Sequence, residues 1–286
     1  MTSVATPSGR AEPTPETLRV AVVGASGYTG AELLRLIAGH PNLDLVAATG
    51  DSKAGSRIAD LYPSLALAYG DRHYEAYTPD LVDGVDLVFC GLPHGLSMGV
   101  IPELIGRVGR IIDLGSDFRL KDAGLYPTWY GAEHTAPQLL DGAAYGLPEL
   151  FREEIASADL IAATGCNAAT ATLTLAPLLA AGLIEPDALV VNLVTGVSGA
   201  GRPPKEHTTF CTVDENVTAY GLLTHRHTPE IEQALTIRTG QPASVLFTPH
   251  LVPTNRGILA SCYGRPARPG ATTDDVILSL IHISEP

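Results

Sequence analysis

The strand-like run Leu18–Val23 leads directly into Gly24-Ala25-Ser26-Gly27-Tyr28-Thr29-Gly30. Residues 31–40 follow, with Leu33, Leu34, Ile37 and Ala38 at helical spacing. A strand that turns into a helix through three evenly spaced glycines constrains the chain more than any other feature. Glycine permits the tight turn. It also lets the backbone approach a pyrophosphate at the helix N-terminus, where free N–H groups and the helix dipole favour an anion. The G-x-x-G-x-x-G spacing is a variant of the usual dinucleotide fingerprint, and the plainer reading is a tight strand-to-helix turn. Position favours the dinucleotide, because this is the first βα unit of an α/β chain.

The alternation continues. Pro41 and Asn42 stop the first helix, and residues 43–50 form a second strand. Buried strands are expected at 85–92 and 110–115, with a helix over 97–105 between them. A further strand at 159–166 runs into a helix over 167–181. Strand and helix in this order imply a doubly wound, Rossmann-type parallel sheet. Beyond it, residues 188–199, 244–253 and 256–264 read as strands with fewer helices between them, which implies a second α+β domain with a mixed sheet. The expected division is a disordered leader over 1–17, a dinucleotide domain over 18–165 and an α+β domain over 166–286.

With 286 residues, the chain is long enough for two domains with substantial cores. A net charge of −13 argues against a general nucleic-acid binder. No apolar run approaches the roughly 20 residues that span a bilayer, and the N-terminal residues have no signal-peptide core. The four cysteines, Cys90, Cys166, Cys211 and Cys262, form no CxxC pair. They suggest neither a disulfide framework nor a metal site, and a reducing cytoplasm is the expected compartment.

Cys166 stands in Thr-Gly-Cys-Asn, between a buried strand and a helix. A thiol there feels the helix dipole, which is expected to lower its pKa and make it a nucleophile. Asn167 and nearby backbone N–H groups would form an oxyanion hole. The alternative is a buried structural cysteine, and that reading holds for Cys90, Cys211 and Cys262, within or beside apolar strand-like runs. His225 and His227 flank Arg226 just before a helix start at Thr228-Pro229-Glu230. Either histidine could serve as acid and base, or the segment could be a polar surface loop. Ser116 and Arg119 follow a parallel strand end, and Ser198, Gly199 and Arg202 sit in a Gly/Ser loop. Both segments suit an anion, though each also reads as a solvated loop. Asp51 lies where an NAD binder carries its ribose acid. Ser52, Lys53, Ser56 and Arg57 crowd the same place and suit a 2′-phosphate, so NADP is expected over NAD.

Taken together, GASGYTGAELLRL, the Pro93-His94-Gly95 turn, DLGSDFRL, YGLPEL, TGCNAAT, TGVSGAGR, HRHTPEI and HLVPTNRGIL resemble the N-acetyl-gamma-glutamyl-phosphate reductases. These are the arginine-biosynthesis relatives of aspartate-semialdehyde dehydrogenase. The resemblance runs from about Leu18 to Asp275. It implies an NADPH-dependent reduction of an acyl phosphate through a Cys166 thioester, with a histidine of the HRH segment as acid and base. Gly24, Ser26, Gly27, Tyr28, Thr29, Gly30, Ser52, Arg57, Pro93, His94, Gly95 and Asn255 would hold NADP. Ser116, Arg119, Asn167, Ser198, Gly199 and Arg202 would hold substrate. The second domain would carry catalysis and dimerisation, giving a homo-oligomer whose partner is a small acyl phosphate, with no metal, nucleic acid or membrane. Alternatives are a sister reductase acting on aspartyl or aminoadipyl phosphate, and an NADP-binding protein without turnover. Family members continue past the helix expected from Thr272 and return to the first domain. The final residues here do not resemble that segment and read as a truncation.

Overall fold

The computed structural model describes residues 17–284. The leader expected over 1–17 lies, apart from Thr17, outside the described residues. The first part runs β1 (Leu18–Val23), α1 (Tyr28–Ala38), β2 (Leu43–Ala48), the short helices α2 (Ile58–Leu61) and α3 (Ala66–Tyr69), then β3 (Leu87–Cys90), α4 (Ser97–Leu104) and β4 (Arg110–Asp113). It continues through α5 (Tyr126–Tyr130), β5 (Ala144–Gly146), α6 (Pro148–Ser157) and β6 (Leu160–Ala163). These six strands form one sheet in the order β2-β1-β3-β4-β6-β5, and every pairing in it is parallel. Parallel strands covered on both faces must be apolar throughout. Accordingly, Val20, Ala21, Val22 and Val23 are all buried, although they point alternately to opposite faces.

The second part begins with α7 (Cys166–Ala180), followed by β7 (Leu189–Gly196), α8 (Phe210–Val213), β8 (Thr218–Ala219), α9 (His227–Thr239), β9 (Val245–Val252), β10 (Ile258–Tyr263) and α10 (Thr273–Ser284). Its sheet has the order β10-β7-β9-β8 and is mixed, with β7 and β9 parallel and the other pairings antiparallel. One face is covered. Leu189, Val191, Leu193, Val245 and Phe247 pack on Ala171 and Leu175 of α7 and on Ile231 and Leu235 of α9. On the other face Leu246, Leu259 and Tyr263 are exposed. No helix among the described residues is long and apolar enough to cross a membrane.

This is the doubly wound sheet with a second mixed-sheet domain that the sequence implies. β5 is an addition to it. Three residues are too few for a pattern, and its strand conformation depends on pairing with β6. Cys211 also differs from expectation. Its run is rich in strand formers, yet it folds as the single turn α8 and leaves the thiol residue exposed.

Asp113 ends β4 with its side chain fully buried. Its Oδ1 accepts from Ser97 Oγ at 2.8 Å and from the Gly115 N–H at 2.9 Å, while Oδ2 has no partner among the described residues. Burial pushes this carboxyl up to about 6, against the hydrogen bonds from Ser97 and Gly115. The folded value lies above the ordinary carboxylate value of about 3.9. The Asp113 contribution to stability is therefore full in acid and is lost as pH rises through about 6. The variant Asp113→Asn should melt roughly 2–6 °C higher than wild type at pH 7.5. At pH 4 the two should melt together. Calorimetry at both pH values checks this.

Candidate active site

The C-terminal ends of the parallel strands point toward the second domain, and ligands collect at such ends. β6 ends at Ala163, Thr164 and Gly165 follow, and Cys166 is the first residue of α7 with Gly165 as its N-cap. Gly165 is squeezed. A Cβ there would collide with His227 Nε2 and lie 2.7 Å from His227 Cε1 and 2.8 Å from Arg119 Nη1. The absence of a side chain brings an imidazole and a guanidinium against the backbone next to the thiol.

Beneath this cluster lies Glu230, one turn into α9 and fully buried. Its Oε1 accepts from the Gly165 N–H at 2.7 Å, from the Tyr145 hydroxyl at 2.8 Å and from Thr164 Oγ1 at 3.3 Å. Its Oε2 lies 3.5 Å from Arg119 Nη1 and 3.9 Å from His227 Nε2. Burial opposes the charged carboxylate. Arg119, His227, the Gly165 N–H and the Tyr145 hydroxyl outweigh it and hold the pKa below the ordinary value. Arg119 is itself tied inward, donating from Nε to Ala163 O at 2.8 Å and from Nη2 to Leu114 O at 3.0 Å. The resemblance makes Arg119 a substrate anchor, whereas its side chain is spent largely on strand ends and Glu230.

Cys166 is exposed as a residue, yet enough protein surrounds its sulfur that desolvation pushes the thiol up. Its backbone surroundings, including the Asn167 N–H, and the charge of Arg119 pull the other way without prevailing. This corrects the expectation of a lowered pKa at the helix start. Asn167 is buried, and its Nδ2 donates to the Tyr220 hydroxyl at 3.4 Å.

The two histidines occupy different settings. His225 packs its ring against Tyr220, Phe247 and His227, with centroids 5.4, 5.0 and 4.7 Å away, and its Nδ1 accepts from the His227 N–H at 3.1 Å. Burial, with the neighbouring His227 and Arg226, pushes its pKa down to about 3. His227 stands over Gly165. Burial lowers its pKa too, with Glu230 opposing and Arg119 assisting, and its Nδ1 is buried without a partner among the described residues. An orphaned buried ring nitrogen marks a place that a ligand or water completes.

Across the sheet, the Pro93-His94-Gly95 turn is held from below by Asp117, whose side chain is fully buried. Asp117 Oδ1 takes His94 Nδ1 at 2.8 Å and the Gly95 N–H at 2.9 Å, and Oδ2 takes the Met98 N–H at 3.1 Å. Ser116 Oγ lies 2.9 Å from the same His94 nitrogen. His134 is buried, with Nε2 2.8 Å from the Asp117 carbonyl.

The glycine loop fits a dinucleotide pyrophosphate. Gly24 has φ +85°, and a Cβ on it would stand 2.5 Å from Gly91 O; a Cβ on Gly30 would stand 2.5 Å from Ala25 backbone atoms. The loop therefore lies tight against the residue after β3, and the helix start lies tight against Ala25. Gly27, its N-cap, is less crowded, with Gly24 O 4.0 Å from a Cβ placed there, and caps with no side chain, so backbone N–H groups at Tyr28 and Thr29 are left for an anion. At the end of β2, Ser52 and Lys53 lie on a single 3₁₀ turn after Gly50. Arg57 does not join them, since it donates from Nε and Nη2 to Gly70 O at 3.2 and 2.8 Å. In the second domain, Ser198 and Gly199 lie on a 3₁₀ turn after β7, and the Ser198 N–H donates to Asn255 O at 3.2 Å. Arg202, expected at the substrate, lies close enough to Tyr62 and Tyr74 of the first domain for its charge to act on both phenols.

Sequence reasoning missed Glu230, Tyr145, Asp117 and the need for Gly165. One signal was available for Glu230, because a carboxylate three residues after His227 on a helix shares its face.

Comparison with known proteins agrees with this geometry. The semialdehyde dehydrogenase NAD binding domain matches residues 19–158, and the semialdehyde dehydrogenase dimerisation domain matches 166–281. The N-acetyl-gamma-glutamyl-phosphate reductase of Rhodospirillum rubrum is 48% identical, with 94% of this chain and 78% of that protein covered. That of Symbiobacterium thermophilum is 48% identical, with 86% and 71% covered. Among solved structures, the aspartate semialdehyde dehydrogenase with NADP from Candida albicans superposes with a TM-score of 0.69 at 17% identity, covering 92% of this chain and 76% of that one. At that identity the likeness concerns the fold. The chain belongs to the semialdehyde dehydrogenase family, and within it to the N-acetyl-gamma-glutamyl-phosphate reductases.

Replacing Gly165 by Ala tests the packing of the site. The methyl group must displace His227 or Arg119, and a misplacement of about 1 Å can cost around a hundredfold in rate. The expected kcat of Gly165→Ala is lower by about that factor, with far-UV circular dichroism unchanged. Wild-type turnover would show that the close approach is not needed.

Proposed function

We propose that the chain reduces N-acetyl-L-glutamyl 5-phosphate to N-acetyl-L-glutamate 5-semialdehyde, releasing phosphate, with NADPH as reductant. The observation that carries this reading is the seating of the His227 ring on Gly165, beside the Cys166 thiol at a helix start. An acyl transfer needs a nucleophile, a base and an oxyanion site in this relation.

In the free enzyme the thiol pKa is raised and the imidazole pKa lowered, so both groups are neutral near pH 7. His227 therefore accepts the thiol proton as Cys166 Sγ attacks the acyl carbon. The S–C bond forms, the C–O bond to phosphate breaks, and inorganic phosphate leaves. Backbone N–H groups at the start of α7 would stabilise the charge that the carbonyl oxygen gains. The nicotinamide, when bound, supplies the hydride. With the hydride taken at the thioester carbon, the C–S bond breaks, the aldehyde is released, and Cys166 leaves as thiolate and regains its proton from His227. Glu230 and Arg119 position the imidazole, and His225, kept neutral by burial, packs its ring from behind. Gly24, Gly27, Gly30 and the Pro93–Gly95 turn cradle the dinucleotide, with Ser52 and Lys53 toward a 2′-phosphate. A second copy of the chain covers the exposed outer face of the β7–β9–β10 sheet, in keeping with the matched dimerisation domain. A reducing cytoplasm suits a working free thiol.

Replacing Cys166 by Ser should lower turnover by at least about a thousandfold while NADPH affinity, followed by fluorescence, stays within about twofold. Ordinary turnover in Cys166→Ser would remove the nucleophile. His227 must be neutral to accept a proton, and its lowered pKa keeps it neutral to a lower pH. The acid limb of kcat/KM should then fall below the ordinary histidine value of about 6.5, and His227→Asn should abolish that limb. For the cofactor, Lys53→Ala should cut the preference for NADPH over NADH about tenfold or more, since a charge-assisted contact contributes about 1.5–3 kcal/mol. A panel with aspartyl and aminoadipyl phosphates separates this substrate from those of the sister reductases.

A further inference from the structure

The two domains meet at an ion pair on the rim of the cleft. Arg256 Nη2, on the loop between β9 and β10, lies 2.9 Å from Glu32 Oε1 on α1. The other carboxylate oxygen, Oε2, is held by Arg35 Nε at 2.8 Å, so Glu32 is a fixed counter-charge. The pair is largely solvent-exposed, with Arg256 68% and Glu32 37% accessible. An exposed pair of this kind is a weak source of stability, because water screens it and two long side chains must be ordered.

The presentation of Arg256 is better built than such a pair requires. The Val197 N–H donates to Thr254 O at 2.9 Å, and the Gly196 N–H donates to Gly257 O at 3.0 Å. These bonds lash the 253–257 loop to the Ser198 loop. Gly196 runs directly beneath, and a Cβ there would meet the Arg256 backbone at 3.0 Å. Two adjoining loops of the catalytic domain thus carry two cations, Arg202 and Arg256, toward the first turns of α1. Glu32 is four residues beyond Tyr28, so both lie on one face of the helix about one turn apart. Arg256 therefore pairs with a residue whose backbone lies roughly 6 Å along the helix axis from Tyr28, the first residue after the Gly27 N-cap. Within reach of the Arg202 charge, Tyr74 packs on Gly50, and its buried hydroxyl has no partner among the described residues. In a chain of net charge −13, a dinucleotide polyanion depends on such local cations.

We propose that Arg256 is an exchange arginine, paired with Glu32 when the cleft is empty and transferred to the phosphates of the dinucleotide at the start of α1 when it is filled. The inference rests on the NADPH reading of that cleft. A phosphate recruits an arginine through two parallel charge-assisted hydrogen bonds, which are stronger than a single exposed contact to a carboxylate. The exchange therefore runs toward the bound state and draws the catalytic domain onto the cofactor helix. Glu32 acts as a competitor, and this sets the direction of each variant's effect.

The test is the dissociation constant of NADPH, measured by calorimetric titration with no acyl phosphate present, for wild type, Arg256→Ala, Arg256→Lys and Glu32→Gln. Arg256→Ala should bind about 10-fold more weakly, with Arg256→Lys between it and wild type. Glu32→Gln should bind about two- to fivefold more tightly, because its arginine is already released. NADH titrations should show the same ratios if the pyrophosphate is the target, and smaller ones if the 2′-phosphate is. Weaker binding in both Arg256→Ala and Glu32→Gln would make the pair a plain strap and overturn the exchange. Unchanged binding in Arg256→Ala would overturn it as well. A wild-type protein that binds neither NADPH nor NADH would instead overturn the cofactor reading.

Discussion

A carboxylate with no exposure to water dominates the site. Glu230 is charged, fully buried and shared between the two domains. An ionised group in such a place survives only if it is paired and hydrogen-bonded from several directions. The pairing decides where other residues stand. Arg119 supplies the charge, the Gly165 N–H and the Tyr145 hydroxyl supply hydrogen bonds, and His227 lies at the edge of the group. Those partners come from the end of β4, the end of β6, the short strand β5 and the start of α9. Removing one member of a buried pair costs about 3–5 kcal/mol, so the set behaves as one unit. The Cys166 thiol, next to Gly165, takes its place from that unit.

The rest of the cleft follows from the parallel sheet. Strands that all run one way deliver their ends, and the loops after them, to one rim. Asp117 plays at the end of β4 the part that Glu230 plays below β6. It is buried and accepting, and it fixes the turn that begins at Pro93 through His94 and Gly95. Asp117 holds the Pro93–Gly95 turn, and Glu230 holds the residue next to the thiol. Neither touches the reacting atoms in the proposed chemistry. Both convert backbone turns into fixed surfaces.

Much of this is legible in the sequence. The first βα unit, the alternation of strands and helices, and the change of texture after Cys166 follow from periodicity and glycine placement. The nucleophile candidate and the HRH segment stand out because local sequence sets their position at helix starts. The failures have a common cause. Nothing local in the sequence marks Glu230, Tyr145 or His134 as a buried polar group. Each acquires its setting from residues 17 to 111 positions away in the chain. The thiol pKa fails for the same reason: the helix start is local, while the burial that outweighs it is tertiary. Arg57 and Arg119 look like ligand arginines by their charge, and the fold spends them on the carbonyls of Gly70, Ala163 and Leu114.

In the proposed reaction Cys166 carries the acyl group. The most direct measurement mixes enzyme with N-acetyl-L-glutamyl 5-phosphate in the absence of NADPH, follows phosphate release on the millisecond scale, and then maps the quenched protein by mass spectrometry. The expected result is a burst of phosphate equal to the concentration of active sites, with the acyl group on the peptide containing Cys166. Absence of a burst, or the acyl group on Cys90, Cys211 or Cys262, would contradict it.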